Sequence, residues 1–312
     1  NTNANASIDV QGDRNEDYIN QWDNGTVRTT VKVINGNDNK AVVEQSRSGG
    51  NSTITITQSR NRNDAFASQW EANGSQIGIK QLRSDNKAVV EQVGTGAMRT
   101  SLNPNPDALA AINDSGERND SVIEQNNSSN VNAFITQSGY KGDAYINQYK
   151  STGSTASITD SGKYDNGVID QWNVSNSNAS IVQGGGHKND ATISQTGTWR
   201  GNSDRLHASI VQSGSHNKAV TEQTGYSNDS NIIQSGLGND AYNSQAGIGN
   251  DSYISQGGGY NTAVVTQVGF NLDSSVTQNG WANRAQVVQS GLNHNSTVTQ
   301  TGNFNNAYVN QH

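Results

Sequence analysis

The sequence predicts an all-β protein, a parallel β-solenoid of two facing sheets, and three observations predict it. Glutamine recurs every 11 residues through the C-terminal hundred, at Gln212, Gln223, Gln234, Gln245, Gln256, Gln267, Gln278, Gln289, Gln300 and Gln311. Glycine follows two residues after each of the first nine, at Gly214, Gly225, Gly236, Gly247, Gly258, Gly269, Gly280, Gly291 and Gly302. Seven residues after the same nine glutamines stands a small residue that alternates between Ala and Ser: Ala219, Ser230, Ala241, Ser252, Ala263, Ser274, Ala285, Ser296 and Ala307. That alternation makes the full unit 22 residues, built from two unequal arcs. A short unit repeated at fixed period cannot bury a core alone and is built for stacking.

Within one arc, Asn305, Ala307, Val309 and Gln311 alternate with Asn306, Tyr308 and Asn310. Period two is the mark of a strand with two different faces, and the face that repeats from arc to arc is the inner one. Four-residue connectors such as Thr301-Gly302-Asn303-Phe304 join the arcs, with glycine allowing positive φ in a tight turn. Two strands and two turns close a coil of about 22 residues. Stacked coils then pair each strand in parallel with its counterpart at a spacing of about 4.8 Å.

Glutamine and asparagine are unusual core residues, because an unpaired buried amide costs about 1–3 kcal/mol. Repetition removes the penalty. Each amide donates to its equivalent in one neighbouring coil and accepts from the other. The expected stacking ladder comprises the ten glutamines above with Asn217, Asn239, Asn261, Asn283 and Asn305.

The earlier two-thirds of the chain follows the same plan with looser turns. Its ladder positions are expected at Gln21, Ile34, Gln45, Gln58, Gln69, Gln81, Gln92, Asp114, Gln125, Gln137, Gln148, Asp160, Gln171, Gln183 and Gln195, after a first strand ending at Gln11. Asp114 and Asp160 are ladder breakers, since an ionised carboxylate accepts but cannot donate. The chain is expected to be one repeat domain over 1–312, with 26 strands in about 13 coils. An insertion loop at 93–107 holds both prolines, Pro104 and Pro106, and a bulged loop is expected at 196–205.

Composition alone would suggest disorder, with 30% hydrophobic residues and a mean hydropathy of -0.79. Charged residues are only 15% and the net charge is -7, too little to keep a chain rich in Asn and Gln expanded. There is no cysteine, hence no disulfide framework and no thiolate metal site. The opening Asn1-Thr2-Asn3 lacks an initiator Met and an export signal, which reads as a mature, exported form. No apolar run approaches the ~18 residues of a membrane span. The mild acidity argues against a nucleic-acid partner.

These residues resemble the curlin repeat of bacterial curli fibres, S-x5-Q-x-G-x2-N-x-A-x3-Q. Gln212-x-Gly214-x2-Asn217-x-Ala219-x3-Gln223 matches it, as do the runs from Gln234 to Gln245 and from Gln256 to Gln267, and Asn283, Ala285 and Gln289 continue it. The leading serine is present at Ser52, Ser75, Ser154 and Ser177, whereas later coils place Asn228, Asn250, Leu272 or His294 there. The chain is most similar to a long major-subunit variant. The resemblance implies a secreted structural subunit that assembles into extracellular amyloid fibres of the biofilm matrix and supports adhesion. It further implies a nucleator subunit and an outer-membrane secretion channel as partners.

Other motifs read as parts of the repeat. Gly236-Leu237-Gly238-Asn239-Asp240-Ala241 matches the dinucleotide fingerprint, but a strand follows it where a helix would have to hold the pyrophosphate. His187, His207, His216, His294 and His312 fall at unrelated repeat positions, which points to surface loops and to no metal site. Trp22, Trp70 and Trp172 each follow a ladder glutamine, where packing on the turn is favoured over binding a polysaccharide. Opposite charges neighbour each other at the starts of short-arc strands, as in Lys40, Asp64, Lys87 and Asp120. No convergent acid, base or nucleophile is apparent, so neither catalysis nor a cofactor is expected.

The favoured reading is a solenoid that polymerises end to end. Asn305, Ala307, Val309 and Gln311 keep the core pattern to the penultimate residue and form the expected polymerisation edge, where terminal repeats of monomeric solenoids are atypical. The competing readings are a monomeric secreted β-solenoid that binds a surface, glycan or ice through its outer face, and a minor nucleator subunit. An enzyme built on a β-helix comes last.

Overall fold

A computed structural model describes residues 3–94, 108–198 and 204–312. All 26 elements among them are strands. Successive strands alternate between two sheets of 13, so that neighbours within a sheet are two apart in the chain and parallel. This is a two-sheet parallel β-solenoid of about 13 coils.

The alternation within each strand decides its inner face. In Asp190–Gly197, Ala191, Ile193 and Gln195 are buried, while Asp190, Thr192 and Ser194 lie half-exposed. Ile or Val fills the middle inner position of most strands, including Ile56, Ile123, Ile146, Ile181 and Ile210, all with no exposed surface. Each such side chain contributes about 1.5–3 kcal/mol by leaving water. Alanine or serine beside it lets the sheets approach closely.

The chain forms two compact units, Asn1–Ser157 and Ile158–His312. In the first, equivalent glutamines are mostly 23 or 24 residues apart, as in Gln21 to Gln45 and Gln125 to Gln148. Here two sequence expectations are corrected. Val33, not Ile34, lies in register with Gln58, and Val10, not Gln11, lies in register with Val33. Val33 is fully buried and Ile34 is not. Lys32 supplies the reason: a one-residue slip placing Ile34 inside would carry Lys32 inside as well. Val93 closes the strand Lys87–Val93, and 95–107, with both prolines, lie outside the described residues.

In the second unit the strands from His207 onward hold a register of 22 residues. Before them, Asn178–His187 pairs with His207–Ser215 through a register shift between Gly184 and His187. Asp190–Gly197 includes Thr196 and Gly197, so most of the segment expected as a bulged loop that is not strand falls at 199–203, outside the described residues.

The turns also differ from expectation. The strands run through the repeated glycine, as in Lys218–Tyr226 and Thr262–Phe270, and the corner itself takes only two residues. The glycines still have φ between 91 and 149°. A Cβ on any of those from Gly214 to Gly280 would fall 1.9–2.2 Å from the carbonyl oxygen of the next glycine in the column. Close backbone approach, beyond turn geometry, therefore requires glycine. The left-handed corner residue comes two positions later and is often not glycine: Ser227, Asn271, Ala282, Asn293 and Phe304 have φ of 51–58°. That conformation costs an L-residue roughly 1–2 kcal/mol. It is offset by a bond to the preceding rung, such as Ala282 N–H to Gly259 O at 2.9 Å and Phe304 N–H to Trp281 O at 2.9 Å.

Candidate functional site: the stacked amide interior

Each inner glutamine of the regular rungs lies in register with its equivalent in the next rung. In the second unit Gln183 Nε2 donates to Gln212 Oε1 at 3.0 Å, followed by Gln212 to Gln234, Gln234 to Gln256, Gln256 to Gln278 and Gln278 to Gln300 at 2.8–2.9 Å. The facing sheet repeats this from Gln195 through Gln223, Gln245, Gln267 and Gln289 to Gln311 at 2.8–3.0 Å. The other amide hydrogen crosses the interior to a backbone carbonyl, as from Gln223 Nε2 to His207 O at 2.8 Å and from Gln245 Nε2 to Asp229 O at 2.8 Å. The first unit holds the same chain of bonds from Gln21 through Gln45, Gln69, Gln92 and Gln125 to Gln148 at 2.7–2.9 Å.

The asparagine column runs in the opposite sense. Asn239 donates back to Asn217 Oδ1 through its backbone N–H at 3.1 Å and through Nδ2 at 3.3 Å. Asn261, Asn283 and Asn305 each do the same to the asparagine before them. Between successive rungs of this stretch the glutamine-to-glutamine bonds run forward and the asparagine-to-asparagine bonds run back, while asparagine Nδ2 also reaches forward to a glycine carbonyl, as from Asn239 to Gly258 O at 3.4 Å. Each rung surface carries donors and acceptors that match the surface of the next.

The rung expected to form the edge is less covered than its equivalents. Ala307, Val309 and Gln311 are half-exposed and Asn305 is exposed, whereas Ala285, Val287, Gln289 and Asn283 are buried. Strand Asn306–Gln311 ends its sheet, paired with Arg284–Leu292.

Asp114 and Asp160 both lie in the interior. Asp114 is in register between Gln81 and Gln137, and Ser121 Oγ lies 2.8 Å from its Oδ1. Burial pushes the Asp114 carboxyl up to about 8, against the downward pull of the Ser121 hydroxyl. Asp160 Oδ1 accepts from Gly162 N–H at 2.8 Å.

Sequence reasoning missed further inward-facing acids, Asp165 and Asp17 among them. Asp165 stands in the asparagine column, where its Oδ1 accepts the Asn189 N–H at 2.8 Å and burial raises its carboxyl. The signal was available: Asp165 precedes Gln171 by the same six residues that separate Asn189 from Gln195. Asp17 takes the small-residue position in register with Ala41, and burial raises it too.

The outer surface is more varied. Trp22, Trp70 and Trp172 are exposed, and Ser46, in register between Trp22 and Trp70, is nearly covered. His187 and His216, unrelated in the repeat count, meet edge to face with ring centroids 4.9 Å apart. Among the described residues no group of three or more metal-ligating side chains converges. Arg62 bridges Asp85 at 2.6 Å on the surface, and Arg14 bridges Asp38 likewise. Exposed pairs of this kind contribute little. Arg62→Ala is expected to leave the urea midpoint unchanged at moderate salt.

The geometry defines a class: a β-solenoid whose interior is held by side-chain amides repeated from rung to rung. The chain carries curlin associated repeats, the family model of that description matching residues 204–236 and 254–280. No curated protein matches the chain.

Proposed function

We propose that the chain is a secreted, curli-type structural subunit that assembles end to end into extracellular fibres, which serve adhesion and the biofilm matrix. The matched surfaces of successive rungs carry this reading. A rung that presents forward glutamine donors and asparagine acceptors is completed by any rung of the same kind, including one in another copy. Such head-to-tail contact does not close on itself, so it propagates as a filament. Growth is placed at the strand Asn306–Gln311 because its inner residues Ala307, Val309 and Gln311 repeat Ala285, Val287 and Gln289 in register, with Asn305 before them. By resemblance, a nucleator subunit and an outer-membrane channel are its partners.

Purified chain is expected to form fibrils with a concentration-dependent lag that seeds abolish, and with a meridional reflection near 4.8 Å. A chain that stays monomeric with its fold intact would refute the assembly reading. Asp160→Gln, which restores an amide to the ladder, is expected to shorten the lag in thioflavin fluorescence. An unchanged or longer lag would count against a ladder role for that position.

A further inference from the structure

We propose that Tyr260 and Trp281 form a platform on which an extended, β-linked polysaccharide binds, along one corner of the second unit. The site lies outside the amide interior and does not depend on assembly into fibres.

Two columns of residues build this corner. Leu237, Gly259 and Trp281 stand in register at the ends of Asp229–Leu237, Asp251–Gly259 and Asp273–Trp281. Gly238, Tyr260 and Ala282 follow them as the left-handed corner residues, with φ of 54–65°. Each is tied to the rung before, as Tyr260 N–H is to Leu237 O at 2.8 Å. Large and small residues therefore alternate along both columns, and the small ones make room for the rings.

A Cβ added to Gly259 would fall 2.9–3.1 Å from Cζ3, Cε3 and Cη2 of Trp281. Near-equal distances to three adjacent ring atoms put that glycine beneath the face of the indole, not at its edge. A Cβ on Gly238 would likewise stand 3.0 Å from Cδ1 and Cε1 of Tyr260. Both rings lean back over a glycine of the preceding rung and stay open to solvent, Tyr260 56% exposed and Trp281 49%. Their centroids are 5.6 Å apart, with the planes inclined at 41°.

This geometry selects a ligand. A pyranose with equatorial hydroxyls turns axial C–H bonds to both of its faces, and these stack on the electron-rich face of an aromatic ring. The 5.6 Å step is close to the length that one such sugar adds to an extended chain, so successive sugars meet successive rings. Asn279 and Ser235, exposed on the outer face two residues before Trp281 and Leu237, offer an amide and a hydroxyl to the sugar hydroxyls. The corner pairs Leu237-Gly238, Gly259-Tyr260 and Trp281-Ala282 carry no formal charge. A neutral chain suits them, and its binding does not depend on salt.

The test titrates cellohexaose into freshly desalted full chain, below the concentration at which fibrils form, and reads binding by calorimetry at low and high salt. Trp281→Ala and Tyr260→Ala are each expected to weaken binding about tenfold, with Trp281→Phe restoring most of it. Trp70→Ala is the control and is expected to change nothing: Trp70 is 50% exposed, but its neighbours in register are Ser46 and Val93. Circular dichroism should be unchanged in all four variants, since only exposed side chains are altered. No binding of cellohexaose, or an equal loss in Trp70→Ala, would overturn the proposal. Loss of self-association in Trp281→Ala with glucan binding intact would also overturn it, and assign the rings to a second copy of the chain. Glucan binding by a chain that never forms fibrils would uphold the platform and refute the assembly reading instead.

Discussion

Gly247→Ala is expected to disrupt the rungs around it, costing about 3 kcal/mol or more, at the severe end for single substitutions. The added Cβ would stand 1.9 Å from the carbonyl oxygen of Gly269, and the φ of 128° at this position is one that L-residues rarely adopt. The obstructing atom is backbone, held in the sheet by the Ala246–Val268 and Ile248–Phe270 register on either side, so it cannot swing away. Separating the two rungs would instead break the bonds from Gln245 to Gln267 and from Asn250 Nδ2 to Gly269 O. Gly78→Ala is the matched control, because nothing lies within 4 Å of its added Cβ. That change is expected to be neutral or to stabilise by up to about 1 kcal/mol, through restriction of the unfolded chain. Residue-resolved hydrogen exchange suits the comparison, since a repeat array need not unfold as one unit. Similar protection losses in the two variants would contradict the close-approach account.

Gln245→Leu carries the second large effect. The substitution keeps an apolar stem of similar size but removes every bond the amide makes. Gln223 Nε2 loses its acceptor in the next rung, and Gln267 Oε1, Asp229 O and Asn250 O lose a donor. Gln223 keeps its bonds to His207 O and Asn228 O, so the damage falls mainly on the stranded acceptors. At about 1–3 kcal/mol for a buried polar group left unsatisfied, the expected total is roughly 2–5 kcal/mol, read from the shift in urea midpoint. Gln286, on the outer face of Arg284–Leu292, has no such role, and Gln286→Leu is expected to stay within about 0.5 kcal/mol. Equal shifts for the two variants would mean that the ladder adds nothing beyond burial.

Much of this arrangement was legible in the residues because the repeat shows the same physical choice many times. Gln212 to Gln311 fix the period, and the two-residue alternation of Asn305 to Gln311 fixes the inner face. The misplaced positions have a common cause. At Ile34 and Gln11 the residues on both sides of the strand were plausible core, and only the cost of turning Lys32 inward separates the registers. The glycine column was assigned to turns because positive φ is what glycine most often signals. That each glycine also faces another glycine's carbonyl one rung away depends on stacking, which no single repeat displays. The meeting of His187 and His216 arises from the register shift after Gly184, an irregularity hidden from a periodic count. Asp165 stands in the asparagine column of the looser coils, a column that the spacing of the glutamines does not mark by itself.

Side-chain amide exchange tests the ladder most directly. With glutamine side chains labelled with nitrogen-15, the Nε2 hydrogens of Gln223, Gln245 and Gln267 should exchange with solvent as slowly as the backbone amides of their own strands. The Gln286 side chain should exchange near the rate of free glutamine. If the ladder amides exchange as fast as Gln286, successive rungs are not joined through their side chains, and the basis for stacking one copy on another is lost.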